Sequence, residues 1–152
     1  MPEIVMRLAI LLLIGAMTWL LITSGQRFVD IRRQRVLSTT LPDTLSGVIN
    51  TADAHSKALV HILAFSTPDC QQCHRIQAPA LRRVVEARGD VISVIEIDAS
   101  SSPELARRYQ VLTVPTTVVL DAAGQAHAVN YGFANTKRLL EQTDEVLAKG
   151  KL

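Results

Sequence analysis

Long apolar runs alternate with polar breaks along this chain, and the periods of those runs predict most of its elements. The first run, residues 4–22, is broken only by Arg7 and Thr18. As a helix it would extend roughly 28 Å at 1.5 Å per residue, close to the ~30 Å hydrocarbon core of a bilayer. Arg7 can snorkel to the headgroups, and Trp19 suits the far interface. The pattern therefore predicts a retained membrane anchor over residues 4–23. A cleaved signal peptide is the alternative, with Thr23, Ser24 and Gly25 as a poor small-residue cleavage site, but the apolar run exceeds the usual length of such a segment.

Residues 24–43 are charged and then Ser/Thr-rich, which predicts a juxtamembrane linker or a short helix lying along the membrane. A domain over residues 44–150 follows. Pro42 and Asp43 before Leu45, Val48 and Ile49 suggest a short opening helix. Residues 58–65 are apolar on both faces, as a central strand of a covered sheet would be. Helical spacing of Ile76, Leu81, Val84 and Val85 predicts a helix over 70–88, kinked at Pro79 and ended by Gly89 and Asp90. Residues 91–97 read as a second strand. Residues 98–103 form a turn, with Pro103 at the first position of a short helix over 104–110. Residues 116–120 and 126–130 read as a hairpin about a turn at 121–124. Asn135 or Thr136 caps a last amphipathic helix through Leu147, with Leu139, Leu140, Val146 and Leu147 facing inward. Strands alternating with helices imply a parallel pair covered on both faces, extended by an antiparallel hairpin.

Composition narrows the function. At 152 residues with a formal net charge of +2, there is room for one globular domain. No basic run is interleaved with aromatics, so nothing suggests nucleic-acid binding. Arg27, Arg32, Arg33 and Arg35 follow the apolar run while Arg7 precedes it. That bias favours a cytoplasmic domain, whereas analogy with signal anchors favours the opposite side.

Two cysteines are too few for a disulfide scaffold. They lie at Cys70 and Cys73, at the corner between the first confident strand and the helix that follows. The first turn of a helix offers unpaired N–H groups and a positive dipole end, which lowers a thiol pKa and favours nucleophilic attack. Cys70 could attack a disulfide and Cys73, one turn along, could resolve the adduct without any cofactor. A zinc half-site, an inert thiol pair and, with His74, a C-x-x-C-H haem attachment segment remain alternatives. His61 reads as a structural strand residue, and His55 and His127 as solvent-facing loop or edge residues. Met1, Met6 and Met17 all fall in the anchor, so the globular part has no methionine to serve as a distal haem ligand.

Over roughly residues 44–149 the chain resembles the thioredoxin-like family. Three features carry the resemblance. They are the C-x-x-C corner with a proline in its helix, the Val114-Pro115-Thr116 loop after Tyr109 and Val111, and the hairpin turn ending at Gly124, followed by Gly132 and a terminal helix. The resemblance implies a mixed sheet flanked by helices, with Cys70 as nucleophile and Cys73 as resolving thiol. It implies a cis bond at Pro115 and pairing of the Val114 backbone with an extended substrate strand. It implies protein disulfide or dithiol substrates and a redox partner protein, with no cofactor or metal. The chain departs from thioredoxin's Trp-Cys-Gly-Pro-Cys-Lys site. Asp69 replaces the tryptophan, Gln71 and Gln72 replace Gly-Pro, and His74 replaces the lysine. Asp69 should raise the Cys70 pKa, and His74 should lower it when charged. Thioredoxin's buried aspartate falls on Ala64, and Pro79 lies one residue later than the family's kink proline. The departures suggest a dedicated partner. The expected whole is a membrane-anchored thiol–disulfide oxidoreductase. A haem or metal carrier and a redox-inactive binding module are the alternatives.

Overall fold

The computed structural model describes residues 2–38 and 58–150. The chain divides into two compact units, Met1–Gln34 and Arg35–Leu152. The first is part of helix α1, Pro2–Leu37, so much of the segment expected as a linker is helical. The opening helix expected near Pro42, and His55, lie outside the described residues. Among the described residues no helix is long and apolar enough to cross a membrane. The continuous stretch of described side chains on α1, residues 10–24, would extend about 22 Å. Its apolar members are exposed, Leu12 and Leu13 by 75% and 70%.

The second unit is built on a sheet of four strands in the order β2-β1-β3-β4. β1 is Val60–Ser66, β2 Ile92–Asp98, β3 Thr116–Asp121 and β4 Ala126–Tyr131. β1 pairs parallel with β2 and antiparallel with β3, which is why its sequence is apolar on both faces. The parallel crossover from β1 to β2 carries the helix α2, Ala78–Arg88. Helix α3 is Pro103–Arg108, and α4, Thr136–Lys149, is capped by the Asn135 side chain, which accepts from the Arg138 N–H.

Side chains alternate along each strand, and the alternation makes two cores. Val60, Ile62 and Ala64 pack with Leu81 and Val84 of α2 and Leu139 and Val146 of α4. Leu63 and Phe65 pack on the other face with Ile97, Tyr109, Val118 and Val36. Buried polar groups on the first side are satisfied. Asn130 donates to the Thr117 hydroxyl at 3.1 Å and to Gln142 Oε1 at 2.8 Å, and Gln142 donates back at 3.0 Å. At the rim, Arg88 meets Asp144 through both donors, at 2.8 and 2.6 Å, joining the end of α2 to α4.

Two expectations change. The first concerns Pro79, which is preceded by a widened turn that the apolar spacing did not predict. Cys73–Gln77 forms a π-turn in which the Ala78 N–H reaches the Cys73 carbonyl. A proline has no N–H and its ring collides with the carbonyl four residues back. Widening the preceding turn moves that carbonyl aside. The second concerns His127, which is half-buried rather than solvent-facing. Val119 pairs with Ala128 and Leu120 with Ala126, so His127 is the extra residue of a β-bulge. A bulge re-aims its side chain, and His127 Nε2 lies 2.7 Å from Asp121 Oδ2.

Asp121 anchors the hairpin turn, accepting the N–H groups of Ala123 and Gln125 at 2.9 Å each. Burial works against its charge, but the hydrogen bonds from His127, Gln125 and Ala123 more than offset it and hold the carboxyl below its ordinary value. Its contribution to stability is therefore full above the ordinary carboxylate range near pH 4 and is lost as pH falls through the folded value. Asp121→Asn keeps an acceptor for the amides and removes the charge. It should cost about 1 kcal/mol or less near pH 6, given the site's exposure. Denaturant titrations of both proteins check this, and the gap should close as pH falls through the lowered folded value of Asp121.

Candidate functional site

The site forms where β1 runs out. Ser66 is held at the strand end by the Ala99 N–H at 2.9 Å, and the chain then turns so that the Cys70 N–H reaches the Thr67 carbonyl at 3.0 Å. Helix begins at Gln71. Both cysteines are joined in a disulfide, with Cα atoms 5.3 Å apart. The Cys73 N–H points at Cys70 Sγ, 3.1 Å away. That donor is one of the unpaired N–H groups of a helix start, and it would stabilise a thiolate on Cys70.

Exposure separates the sulfurs. Cys73 is 5% exposed, while Cys70 is half-buried and follows exposed Asp69. His74 is exposed, and its Nε2 lies 3.2 Å from the Pro68 carbonyl, on the turn that leads into Cys70.

The Val114–Pro115 bond is cis. Phe65 at the end of β1 pairs with Thr116 at the start of β3, so Pro115 arrives directly beside the cysteine turn. The Thr116 hydroxyl closes this loop on the Thr113 carbonyl at 2.8 Å. Cys73, His74 and Pro115 share a small cavity of about 30 Å³ with Ala64, Gln77 and Glu96, room for about one water. Four of the residues expected to matter, Cys70, Cys73, His74 and Pro115, are thus gathered at one corner. Val114 is half-buried beside Pro115, and Asp69 stays on the rim. Among the described residues no group of three or more His, Cys, Asp or Glu side chains could hold a metal.

Two residues at the site were not singled out by sequence reasoning. Glu96 is the strand partner of Ala64 and supplies the carboxylate lining this cavity. Its signal was a charge at the same-face position after Ile92 and Val94. Gln77 is only 3% exposed. Its amide donates to the Ala134 carbonyl at 3.1 Å and accepts the Ala134 N–H at 2.9 Å. Its signal was a polar residue within the apolar spacing of the helix.

The difference in exposure yields a testable order of reaction. After reduction, a maleimide or iodoacetamide should label Cys70 about tenfold or more faster than Cys73. Peptide mapping of the partly labelled protein measures the ratio. Equal labelling would contradict the assignment of Cys70 as the accessible sulfur.

Comparison with known proteins agrees with this geometry. The sequence profile of the thioredoxin family matches residues 48–145. The chain is 31% identical over 83 residues to thioredoxin of Bacillus subtilis (strain 168), covering 55% of this chain and 78% of that protein. It is 29% identical over 82 residues to chloroplastic thioredoxin Y of Oryza sativa subsp. japonica, covering 54% and 48%. Among solved structures, chloroplastic thioredoxin z superposes with a TM-score of 0.55 at 21% identity, covering 73% of this chain and 95% of that one. Oxidised mitochondrial thioredoxin 3 from Saccharomyces cerevisiae superposes with a TM-score of 0.52 at 23% identity, covering 66% and 89%. With the profile spanning more than half of it and a redox-capable cysteine pair at the matching corner, this chain belongs to the thioredoxin family and is a thiol–disulfide oxidoreductase.

Proposed function

We propose that the protein is a membrane-anchored thiol–disulfide oxidoreductase that exchanges disulfides with extended polypeptide segments. The observation that carries the catalytic part is the Cys70–Cys73 disulfide beside Pro115, with Cys73 and Pro115 lining one cavity. In the reductive direction the Cys70 thiolate attacks a substrate disulfide, forming a mixed disulfide and expelling one substrate thiolate. Cys73 gives its proton to the expelled substrate thiolate or to water and attacks Cys70 Sγ. The Cys70–Cys73 bond forms and the second substrate thiolate leaves. A redox partner protein then returns the pair to its dithiol.

Surrounding groups tune these steps. The Cys73 N–H favours the Cys70 thiolate. The Asp69 carboxylate disfavours it, and a protonated His74 favours it. The Val114 backbone, at the rim beside Pro115, pairs with the substrate as an added strand. Cys70→Ser should abolish exchange, and Cys73→Ser should accumulate mixed disulfides that survive on non-reducing gels. A Cys73→Ser protein as active as wild type in a disulfide-reduction assay would sink the two-thiol mechanism.

Anchoring is supported by the exposed apolar surface of α1. Ile10, Leu11, Leu12, Leu13 and Ile14 are all about half exposed or more, as are Leu20, Leu21 and Ile22. An exposed apolar face of that extent is costly in water. The arginine excess after it favours the cytoplasmic side, where the pair would act as a reductant. The full chain should remain with membranes after an alkaline carbonate wash, and a chain lacking residues 1–24 should not. Release of the full chain by the wash would exclude an integral anchor. Labelling of the reduced cysteines by an impermeant maleimide, in intact and in opened cells, reports the side.

A further inference from the structure

Gln77 is the buried polar side chain on the helix that carries the cysteines. It follows Cys73 within the π-turn and lies on the inner face, four residues from buried Cys73 and four from buried Leu81. Its amide makes both bonds to Ala134 that a neighbouring strand would make, donating at 3.1 Å and accepting at 2.9 Å. Few side chains other than an amide can do this, because donor and acceptor must lie in one plane. Two residues before Ala134, the Gly132 N–H donates to the Pro115 carbonyl at 2.9 Å. A short path therefore runs from the π-turn by hydrogen bonds from Gln77 to Ala134, along the chain to Gly132, and by its N–H to Pro115. Gln77, Cys73 and Pro115 also line the same cavity.

The other described ties from this helix to the same part of the chain lie farther from the sulfurs. Thr136 reaches the Ala80 carbonyl at 3.4 Å, and Arg88 meets Asp144 at the far end. The disulfide links Cys70 to Cys73 but does not reach the Pro115 side. When the disulfide opens, Gln77 is the tie nearest the sulfurs that registers them against the Pro115 rim.

We propose that Gln77 is a positioning residue for polypeptide substrates, holding the Val114–Pro115 rim in register with the cysteine pair. This inference rests on the reading that an extended substrate pairs at that rim. A small disulfide needs only the sulfur of Cys70. A polypeptide needs the sulfur and the rim at a fixed separation, so loss of the tie should penalise the polypeptide selectively.

The test uses the reduced full chain in detergent and two probes with one leaving group. One is dithiobis-nitrobenzoate itself. The other is a short unstructured peptide whose single cysteine carries thionitrobenzoate. In each case the Cys70 thiolate displaces thionitrobenzoate to form a mixed disulfide. Cys73 then closes the Cys70–Cys73 bond and releases the remaining thiolate. The protein dithiol is oxidised and the probe disulfide reduced to two thiols. Gln77→Met removes donor and acceptor at similar volume. In this single-turnover reaction it should lower the rate with the peptide about tenfold through a higher half-saturating peptide concentration, with the limiting rate retained, and leave the small probe within about twofold. A thermal melt establishes that the variant is folded. If it is not, Gln77→Leu, which also removes donor and acceptor, takes its place, with a loss in the same direction. Equal losses on both probes would mean general damage to the site and would overturn the proposal. So would an undiminished rate with the peptide. If the wild-type protein gains nothing from the peptide over the small probe, pairing at Val114 and Pro115 fails first and this inference with it. If wild type gains and the folded variant keeps the gain, this inference alone fails.

Discussion

The arrangement depends on pairing β1 along both of its edges. Its residues 60–66 align with 92–98 in parallel and 60–65 with 121–116 in antiparallel register. A one-residue slip in either ladder would turn a whole set of side chains to the wrong face. Both faces of β1 are buried against apolar cores, so either slip is strongly disfavoured. The functional corner inherits that rigidity. Phe65 opposite Thr116 brings Pro115 to the end of β1, and Ser66 bonded to Ala99 fixes where the cysteine turn begins. Catalysis needs two loops from distant parts of the chain held to within a fraction of an ångström, and the two ladders provide it.

The helix that leaves this corner meets a conflict between two local requirements. Its start must present free N–H groups to Cys70, and Pro79 must be accommodated within it. The π-turn Cys73–Gln77 meets both. It gives the proline room, and Gln77, at its end, is buried. Burying an amide without partners would cost roughly 1–3 kcal/mol. The backbone of Ala134, between β4 and α4, satisfies both ends of it. The irregular turn and the buried amide thus depend on each other.

The opposite end of the sheet follows a different logic. There the β-bulge at His127 and the Asp121 turn are closed by charge and by hydrogen bonds to the backbone, at a partly exposed position. This polar closure is far from the cysteines and bears on hairpin stability. It also shows why strand periodicity alone misjudges a histidine. An extra residue in one strand reverses which way a side chain is aimed, and the amino-acid pattern on either side of it looks unbroken.

The sequence by itself determined the element order, because apolar period and turn chemistry are local properties. The central strand, the hairpin about the Asp121 turn, the Asn135 cap and the strand-to-helix position of Cys70 and Cys73 were all legible this way. The resemblance carried by Val114-Pro115-Thr116 added the pairing of that loop with the cysteines. Only the tertiary structure decided which side chains share the cavity. Gln77 and Glu96 carry no local signal beyond a polar residue in an apolar pattern. Their meaning comes from partners distant in sequence, Ala134 for one and the cavity beside Ala64 for the other. The widened turn before Pro79 was likewise illegible, since a regular and a widened turn can both precede a proline in a helix. The bonds that Gln77 makes to Ala134 exist only once this helix has packed against the chain that follows β4.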